Sequence, residues 1–278
     1  MIKIEETARR TGGIGVLTLA ALVGCQTVQT TGSGAVGVDR SQTMTTLISS
    51  EEFNEKAAAE YRQTLREASS KGRLNQNAAQ VERVRRIANR LIPNTVAFRS
   101  DAPRWSWEVN VITSNEVNAW CMPGGKIAVY TGLLAKLGPT DDELAAVMGH
   151  EISHALREHS REQYSQALAQ GILINILGAV TGASAASQSA GQTVLDVMMN
   201  LPHSRTDETE ADRIGVELAA RSGYDPRAAV SLWEKMGKLG GSKPPQFLST
   251  HPSDETRMAD LRVYADKVLP LYDSAPTR

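Results

Sequence analysis

The sequence predicts an α+β fold that is predominantly helical, with a small antiparallel sheet beside a long helix. Apolar residues recur at helical spacing over most of the chain, whereas strand-like alternation is confined to residues 107–130. Of the 278 residues, 41% are hydrophobic and 22% charged, as in a folded globular protein. The formal net charge of −1 gives no reason to expect a nucleic-acid partner.

The N-terminus carries the pattern of a bacterial lipoprotein signal peptide, which we assign to residues 1–24. A basic start is followed by an apolar run, IGVLTLAALVG, that is too short to span a bilayer. The run ends directly at Cys25, which predicts that this cysteine is lipidated and anchors the protein to a membrane. An ordinary secretory signal with an incidental cysteine is the alternative. Residues 25–50 are rich in Thr, Ser and Gly, which predicts a flexible tether.

Helical spacing predicts two helices before the sheet and three after the central helix. They lie near residues 51–70, 76–92, 206–222, 226–238 and 252–268. The apolar stretch 171–182 is too short to span a membrane. A buried helix, an active-site cover and a surface that dips into lipid remain open for this stretch.

The predicted sheet lies between the second helix and the central helix. Its strands are 107–111, 117–122 and 126–130, the last two joined by a Pro-Gly-Gly turn. We predict an antiparallel sheet in which 117–122 is the middle strand. The central helix begins at Thr140, whose spacing to Glu143 is that of a capping box, and it is predicted to run at least to Glu162.

The central helix contains the sequence His150-Glu151-Ile152-Ser153-His154. Residues four apart on a helix differ by about 40° around the axis and roughly 6 Å along it. Both imidazoles therefore project from one face and are placed to bind a single metal ion. Glu151 lies beside that ion without pointing at it, which suits a general base that takes a proton from water. A chance match is the alternative.

A second acidic motif supplies the third protein ligand that a catalytic zinc site needs. Glu208 and Asp212 are four residues apart on a predicted helix, so Glu208 can reach the metal while Asp212 orients a ligating imidazole. Glu210 competes for the ligand role, and a solvated acidic helix face is the alternative for the whole motif. Together the two motifs predict one Zn²⁺ per chain, held by His150, His154 and Glu208.

Three further histidines are assigned by their position in the sequence. His159 lies nine residues after His150, about 180° around a continuous helix, so we predict that it is exposed and does not share the ion. His203 precedes the helix of Glu208 and is not assigned to the site. His251 stands before the last predicted helix, and it either begins that helix or faces the open side of the metal.

Four motifs occur along the chain in a fixed order. They are Asn118-Ala119-Trp120-Cys121-Met122-Pro123-Gly124-Gly125, His150-Glu151-Ile152-Ser153-His154, Glu208-Thr209-Glu210-Ala211-Asp212 and His251-Pro252 with Arg257. This set resembles the HtpX/CAAX-prenyl-protease family of zinc metallopeptidases over about residues 75–268. The likeness is greatest to the soluble, lipid-anchored LoiP/BepA branch of bacteria. The resemblance implies a gluzincin fold and zinc-dependent endopeptidase activity.

The resemblance also implies roles for single residues. It assigns Glu151 as general base and acid, and it places Asn118 and Ala119 on a strand that pairs with extended substrate. His251 is implied to be an oxyanion stabiliser or a fourth metal ligand. Arg257 is implied to hold the acidic surroundings of the metal in place.

We therefore predict a zinc metallopeptidase domain over residues 51–270 and a C-terminal tail at 271–278. Its expected substrates are unfolded, misfolded or unassembled polypeptides of the bacterial cell envelope, at the periplasmic face of the outer membrane. A non-catalytic envelope lipoprotein that acts as a chaperone or assembly factor is the alternative. The oligomeric state and the role of Cys121 stay open.

Overall fold

The structure is a computed structural model. It describes residues 24–181, 194–239, 245–252 and 255–276, and over 171–181 it describes the backbone only. The predicted signal peptide, apart from Gly24, lies outside the described residues. The side chains of the apolar stretch 171–182 also lie outside them, so the three alternatives for that stretch stay open.

The predicted tether at residues 25–50 is wrong, because this segment is folded onto the domain. Strands β1 (Cys25–Val28) and β2 (Gln42–Thr45) pair in an antiparallel ribbon. Val36 and Met44, which belong to the same segment, are 1% and 0% exposed. We call residues 24–46 the N-terminal hairpin.

Buried charged side chains of the domain hold the N-terminal hairpin. The Arg157 guanidinium donates to Thr31 Oγ1 at 3.2 Å and to the backbone carbonyl of Arg40 at 2.9 Å. Glu217 Oε2 accepts from the backbone N–H of Val36 at 2.8 Å. Arg157 and Glu217 are both fully buried, so the hairpin supplies hydrogen bonds that two buried charges require.

Helices make up most of the described chain. They are α1 (Ser50–Ser70), α2 (Ala78–Leu91), α3 (Thr131–Leu137), α4 (Asp141–Leu156), α5 (His159–Thr181), α6 (Val194–Asn200), α7 (Arg205–Arg221), α8 (Ala228–Lys238), α9 (Gln246–Thr250) and α10 (Glu255–Asp273). The predominantly helical class is thus confirmed, and the short helices α3, α6 and α9 are additional to those predicted. Among the described helices, none is both long and apolar enough to cross a membrane.

The small sheet is mixed rather than antiparallel. Its strands are β3 (Glu108–Ile112), β4 (Ala119–Met122) and β5 (Lys126–Tyr130). β5 lies in the middle, parallel to β3 and antiparallel to β4. The choice of 117–122 as middle strand is wrong because apolar patterning does not separate a buried edge strand from a central one. β4 is an edge strand, and it lies against α4.

Helices α4 and α7 approach each other closely at a pair of glycines. A Cβ on Gly149 would lie 2.9 Å from the carbonyl oxygen of Gly215, and a Cβ on Gly215 would lie 2.9 Å from the backbone nitrogen of His150. Any larger residue would push the helices apart. The contact sets the helix of His150 directly against the helix that carries Glu208.

The helix that begins at Thr140 is shorter than predicted. Its capping box is present, but α4 ends before Glu162. Glu158 has a φ of +54°, a left-handed conformation that interrupts the helix, and α5 begins at His159. His159 therefore does not lie on the same continuous helix as His150, and the position predicted for it on that basis is wrong.

The C-terminal helix is longer than predicted. α10 continues to Asp273, and Leu271 and Tyr272 pack against the main core. The tail predicted at 271–278 therefore begins inside a packed helix rather than after it.

Candidate metal centre

Two capped helices position the candidate ligands. Ser204 caps α7 and exchanges hydrogen bonds with Asp207, which fixes Glu208 in the first turn. Helix α4 carries His150 and His154 near its C-terminal end. The two helices run in opposite directions, so that Gly149 meets Gly215, His150 meets Asp212 and His154 meets Glu208.

The side chains of His150, His154 and Glu208 converge on one point. The Nε2 atoms of the two imidazoles are 3.1 Å apart. Oε1 of Glu208 lies 3.3 Å from Nε2 of His154, and Oε2 lies 3.6 Å from Nε2 of His150. All three side chains are buried. Together with His251 they form a cluster able to bind one metal ion.

The hydrogen bonds around the cluster fit a bound cation. Nδ1 of His150 lies 2.9 Å from Oδ1 of Asp212, and this carboxylate holds the imidazole proton on Nδ1. Nε2 of His150 then carries a lone pair, which faces the Glu208 carboxylate in a dry site. A cation between the two groups would offset the repulsion between this lone pair and the carboxylate. Two imidazoles and one carboxylate are the donor set of a catalytic zinc site with an open position.

Arg257 connects the acidic side chains from α10. Its guanidinium forms a bidentate pair with Asp212, with Nη2 at 2.8 Å from Oδ1, and its Nη1 lies 2.6 Å from Oε2 of Glu208. Burial raises the pKa of Glu208, but His251 and Arg257 outweigh burial and hold that pKa well below its usual value. Glu208 is therefore ionised, as a metal ligand must be.

Glu151 lies next to the cluster without joining it. Its carboxylate lies close to Cys121 in β4, and its Oε1 lies 3.4 Å from Nε2 of His251. Oε1 is buried and accepts no hydrogen bond from any residue that the structure describes. Burial raises the pKa of Glu151 to about 7. A carboxyl group with this pKa can take and return a proton near neutral pH.

His251 points into the cluster. Its Nδ1 lies 2.9 Å from Oε1 of Glu208 and 3.3 Å from Nε2 of His150. Burial lowers the pKa of His251, but Glu208 and Glu151 outweigh burial and raise it above its usual value. The interpretation of His251 as a residue that begins the last helix is wrong, because it ends α9 instead.

The predicted substrate strand lies at the outer edge of the sheet. Asn118 directly precedes β4, and its Oδ1 accepts from the N–H of Ala119 at 3.0 Å. Its Nδ2 lies 4.0 Å from Sδ of Met199, in α6. The N–H of Phe247, in α9, donates to the carbonyl of Val117 at 3.2 Å. Asn118 and Ala119 are both buried, so α6 and α9 cover this edge.

His159 is fully buried beside the cluster, contrary to the prediction that it is exposed. Its Nδ1 lies 2.9 Å from Nδ1 of His154, and its Nε2 lies 3.1 Å from Oε2 of Glu210. The prediction is wrong because the left-handed turn at Glu158 ends α4 and brings His159 back to His154. Glu210 pairs with His159 and with Arg157, and it lies outside the ligand cluster.

His203 also lies at the site, although no motif in the sequence includes it. Its ring packs on that of His154, with centroids 4.0 Å apart and 30° between the planes. Its Nδ1 is buried without a hydrogen-bond partner among the described residues. The one local signal is its place just before Ser204, the cap of the helix that carries Glu208.

Comparisons with known proteins agree with this geometry. The model of peptidase family M48 matches residues 78–265, a stretch that contains all the candidate ligands. The chain is 43% identical over 152 residues to the mitochondrial metalloendopeptidase OMA1 of Arabidopsis thaliana, which covers 55% of this chain and 30% of that protein. It is 37% identical over 177 residues to the mitochondrial metalloendopeptidase OMA1 of Schizosaccharomyces pombe, covering 63% and 50%.

A bacterial protein is among the relatives as well. The chain is 31% identical over 170 residues to the beta-barrel assembly-enhancing protease of Escherichia coli (strain K12), covering 58% of this chain and 35% of that protein. The matching stretch thus spans half or less of the length of these three relatives. From the family match over residues 78–265, the chain belongs to peptidase family M48.

Proposed function

We propose that this chain is a zinc-dependent metalloendopeptidase of the bacterial cell envelope that hydrolyses misfolded or unassembled polypeptides. The observation that supports this most is the buried cluster of His150, His154 and Glu208 with Glu151 at its side. We assign the first three as zinc ligands and Glu151 as general base and acid. The relatives described above are named as metalloendopeptidases and as a protease, which supports the reaction class.

The chemistry of the reaction is divided between the metal and the chain. His150, His154 and Glu208 would hold a zinc ion, which would supply a Lewis acid able to polarise a peptide carbonyl. Glu151, with a pKa of about 7, takes a proton from water and delivers it to the leaving amine. Asp212 keeps the His150 ring oriented, and Arg257 holds Asp212 and Glu208 in place.

We infer that the substrate is an extended polypeptide, because β4 is an edge strand beside Glu151. An edge strand pairs with extended chains through main-chain hydrogen bonds, which are largely independent of the substrate's side chains. Folded proteins rarely present such a free strand, so unfolded chains are the expected substrates. Helices α6 and α9 must move for a peptide to reach Asn118 and Ala119.

The test is cleavage of unfolded casein by the variant Glu151→Gln. Glutamine keeps the shape of the side chain but cannot take a proton, so we expect cleavage to fall by about 10²–10⁴-fold. Zinc content, measured by atomic absorption, is expected to stay at the wild-type value. Glu234→Gln, at an exposed position of α8, is the control and is expected to change neither measurement. Cleavage by Glu151→Gln at the wild-type rate would exclude this residue as the base.

A non-catalytic chaperone or assembly factor is the alternative function. It predicts that the zinc-loaded protein protects an unfolded client from aggregation without cutting it, and that Glu151→Gln behaves like the wild type. Glu151 is buried beside the cluster with a pKa raised to about 7, which disfavours this alternative. Burying a carboxyl group costs stability, and a protein that only binds chains does not need one at this position.

We propose that the chain is lipid-anchored at Cys25 on the periplasmic face of the outer membrane, within the LoiP/BepA branch. The support is the apolar run that ends at Cys25 and the exposure of this cysteine at the start of β1. The relatives include mitochondrial as well as bacterial proteins, so the signal pattern carries this proposal. Cys25→Ser is expected to abolish palmitate labelling of the protein. Labelling that persists in this variant would contradict an anchor at Cys25.

A further inference from the structure

A chain of buried hydrogen bonds runs from His154 to the N-terminal hairpin. Nδ1 of His154 lies 2.9 Å from Nδ1 of His159, and Nε2 of His159 lies 3.1 Å from Oε2 of Glu210. The other oxygen of Glu210 accepts from Nε of Arg40 at 2.6 Å. Arg157 donates from Nε to Oε2 of Glu210 at 2.9 Å and holds the hairpin at the backbone of Arg40.

The direction of these hydrogen bonds follows from the role of His154. A ligand that offers its Nε2 lone pair to a metal must carry its proton on Nδ1. That proton is donated to Nδ1 of His159, which therefore carries its own proton on Nε2 and donates it to Glu210. The acceptor capacity of the Glu210 carboxylate is then filled by His159, Arg40 and Arg157.

The two imidazoles of the cluster are supported in parallel ways. His150 is held directly by Asp212, which pairs with Arg257. His154 is held through His159 by Glu210. Asp212 and Glu210 both belong to α7, and each of them is paired with arginine.

The group His159, Asp207 and Glu210 also has the spacing of a metal site. However, Arg40 lies 3.0 Å from Oδ1 of Asp207 and 2.6 Å from Oε1 of Glu210, and Arg157 lies 2.8 Å from Oε2 of Glu210. Two guanidinium groups at these distances oppose a second cation. The group is therefore a hydrogen-bonded support for His154.

We propose that His159 is a positioning residue that orients His154 toward zinc, and that Arg40 of the N-terminal hairpin fixes the far end of this support through Glu210. Arg40 lies outside residues 78–265, the stretch that matches the family model. The hairpin is thereby part of the metal centre and not only a covering of the core. The proposal rests on zinc binding by His154 and does not depend on the identity of the substrate.

The first experiment compares His159→Leu with His159→Gln. The apparent zinc dissociation constant is measured by competition with a chelator, at a temperature well below the Tm of each variant. We expect His159→Leu to weaken zinc binding by about 10–100-fold. We expect His159→Gln, whose amide can still accept a hydrogen bond and donate another, to recover part of this loss. Wild-type affinity in His159→Leu, or equal losses in the two variants, would overturn the positioning role.

The visible spectrum of the Co²⁺-loaded protein supplies a second readout. A reoriented His154 changes the ligand field, so we expect the d–d bands of His159→Leu to shift and those of His159→Gln to remain close to the wild type. A general loss of packing without ligand movement would lower the Tm and leave these bands unchanged, which would overturn the proposal.

The second experiment tests the link to the hairpin. Arg40 is one-third exposed, with 32% of its side chain accessible, so Arg40→Gln is expected to fold even if the His159 variants do not. Arg213→Gln is the matched control. Arg213 lies on α7, the helix that carries Glu210, its side chain is 29% exposed, and the substitution removes its ion pair with Asp260. We expect Arg40→Gln to weaken zinc binding by about three- to tenfold and the control to leave it unchanged. Equal zinc affinity in the two variants would overturn the role of Arg40.

Discussion

His251 shows how a single side chain can decide whether the site is open. Its Nδ1 lies among the ligand atoms of His150 and Glu208, close enough to take the fourth position on the same ion. A catalytic zinc site needs that position for its substrate. The geometry therefore favours a fourth ligand over an oxyanion stabiliser in this conformation.

We expect His251→Ala to raise casein cleavage several-fold, because it frees the fourth position. Rates are compared at equal zinc content, so that a loss of metal is not mistaken for a lower cleavage rate of the zinc-loaded protein. A fall in cleavage at full zinc occupancy would instead favour the oxyanion role, and an unchanged rate would contradict both roles.

The candidate ligand set follows from local spacing in the sequence, whereas the residues that support it do not. His150, His154 and Glu208 are placed by four-residue periodicity on helices, which sequence patterns show directly. The same periodicity predicts the wrong position for His159, because Glu158 takes a left-handed conformation that no sequence pattern indicates. Arg40 reaches the site only through tertiary folding across more than a hundred residues, a distance that local patterning does not cover.

At the level of elements, the distance between α4 and α7 is set by Gly149 and Gly215. We expect Gly215→Ala to cost about 1–3 kcal/mol of unfolding free energy and to weaken zinc binding, because the new Cβ would lie 2.9 Å from the backbone of His150. Denaturant unfolding and chelator competition measure the two effects. Gly237→Ala, in α8, is the control, since among the described residues nothing beyond its own helix backbone and chain neighbours lies within 4 Å of the added Cβ. It is expected to stabilise by up to about 1 kcal/mol. Equal behaviour of the two variants would contradict the close contact.

Glu158, in the turn between α4 and α5, makes the stability of the protein depend on pH. Glu158 pairs with Arg99 at 2.7 Å and with Arg161 at 2.8 Å. Burial raises the pKa of Glu158, but the two arginines outweigh burial and bring it below its ordinary value of 4.5. The ionised carboxylate therefore stabilises the fold above about pH 4.5, and this contribution is lost as the pH falls through the lower pKa of the folded state.

Glu158→Gln is the test of this turn. At pH 7 we expect it to destabilise the protein by about 3 kcal/mol, because the buried Arg161 loses its carboxylate partner and Arg99 keeps only Asp101. The difference in Tm from the wild type is expected to shrink as the pH falls below 4.5, where the wild-type carboxylate is protonated as well. Thermal unfolding followed by circular dichroism at several pH values measures this difference. A difference that is constant with pH would contradict the charge argument.

For the whole molecule, the N-terminal hairpin completes the fold around the family region. Removal of residues 25–46 would take Val36 and Val38 out of the main core and leave Arg157 and Glu217 without their hairpin partners. Compared with a chain that begins at Cys25, we expect the Tm to fall by at least about 10 °C, measured by calorimetry. Equal Tm values would show that the hairpin does not contribute to the core.

The sequence predicts the helices of the molecule better than it predicts the structure of residues 25–50. Each helix carries its own periodic pattern, but residues 25–50 carry polar groups whose partners, such as Arg157 and Glu217, are far away in the chain. Their composition alone therefore resembles that of a linker. The predicted strand order is wrong for a similar reason. The pairing of β3 with β5 joins segments that are not adjacent in the chain, and apolar alternation does not encode it.

The early start of β1 would limit how far the molecule reaches from the lipid anchor proposed at Cys25. A free segment of 25 residues would let the domain explore roughly 25–30 Å from its attachment point. In the structure β1 begins at Cys25 itself, so no slack is left between an acyl chain on that sulfur and the folded body. With the acyl chain proposed at Cys25, the folded body would therefore lie at the height of the lipid headgroups.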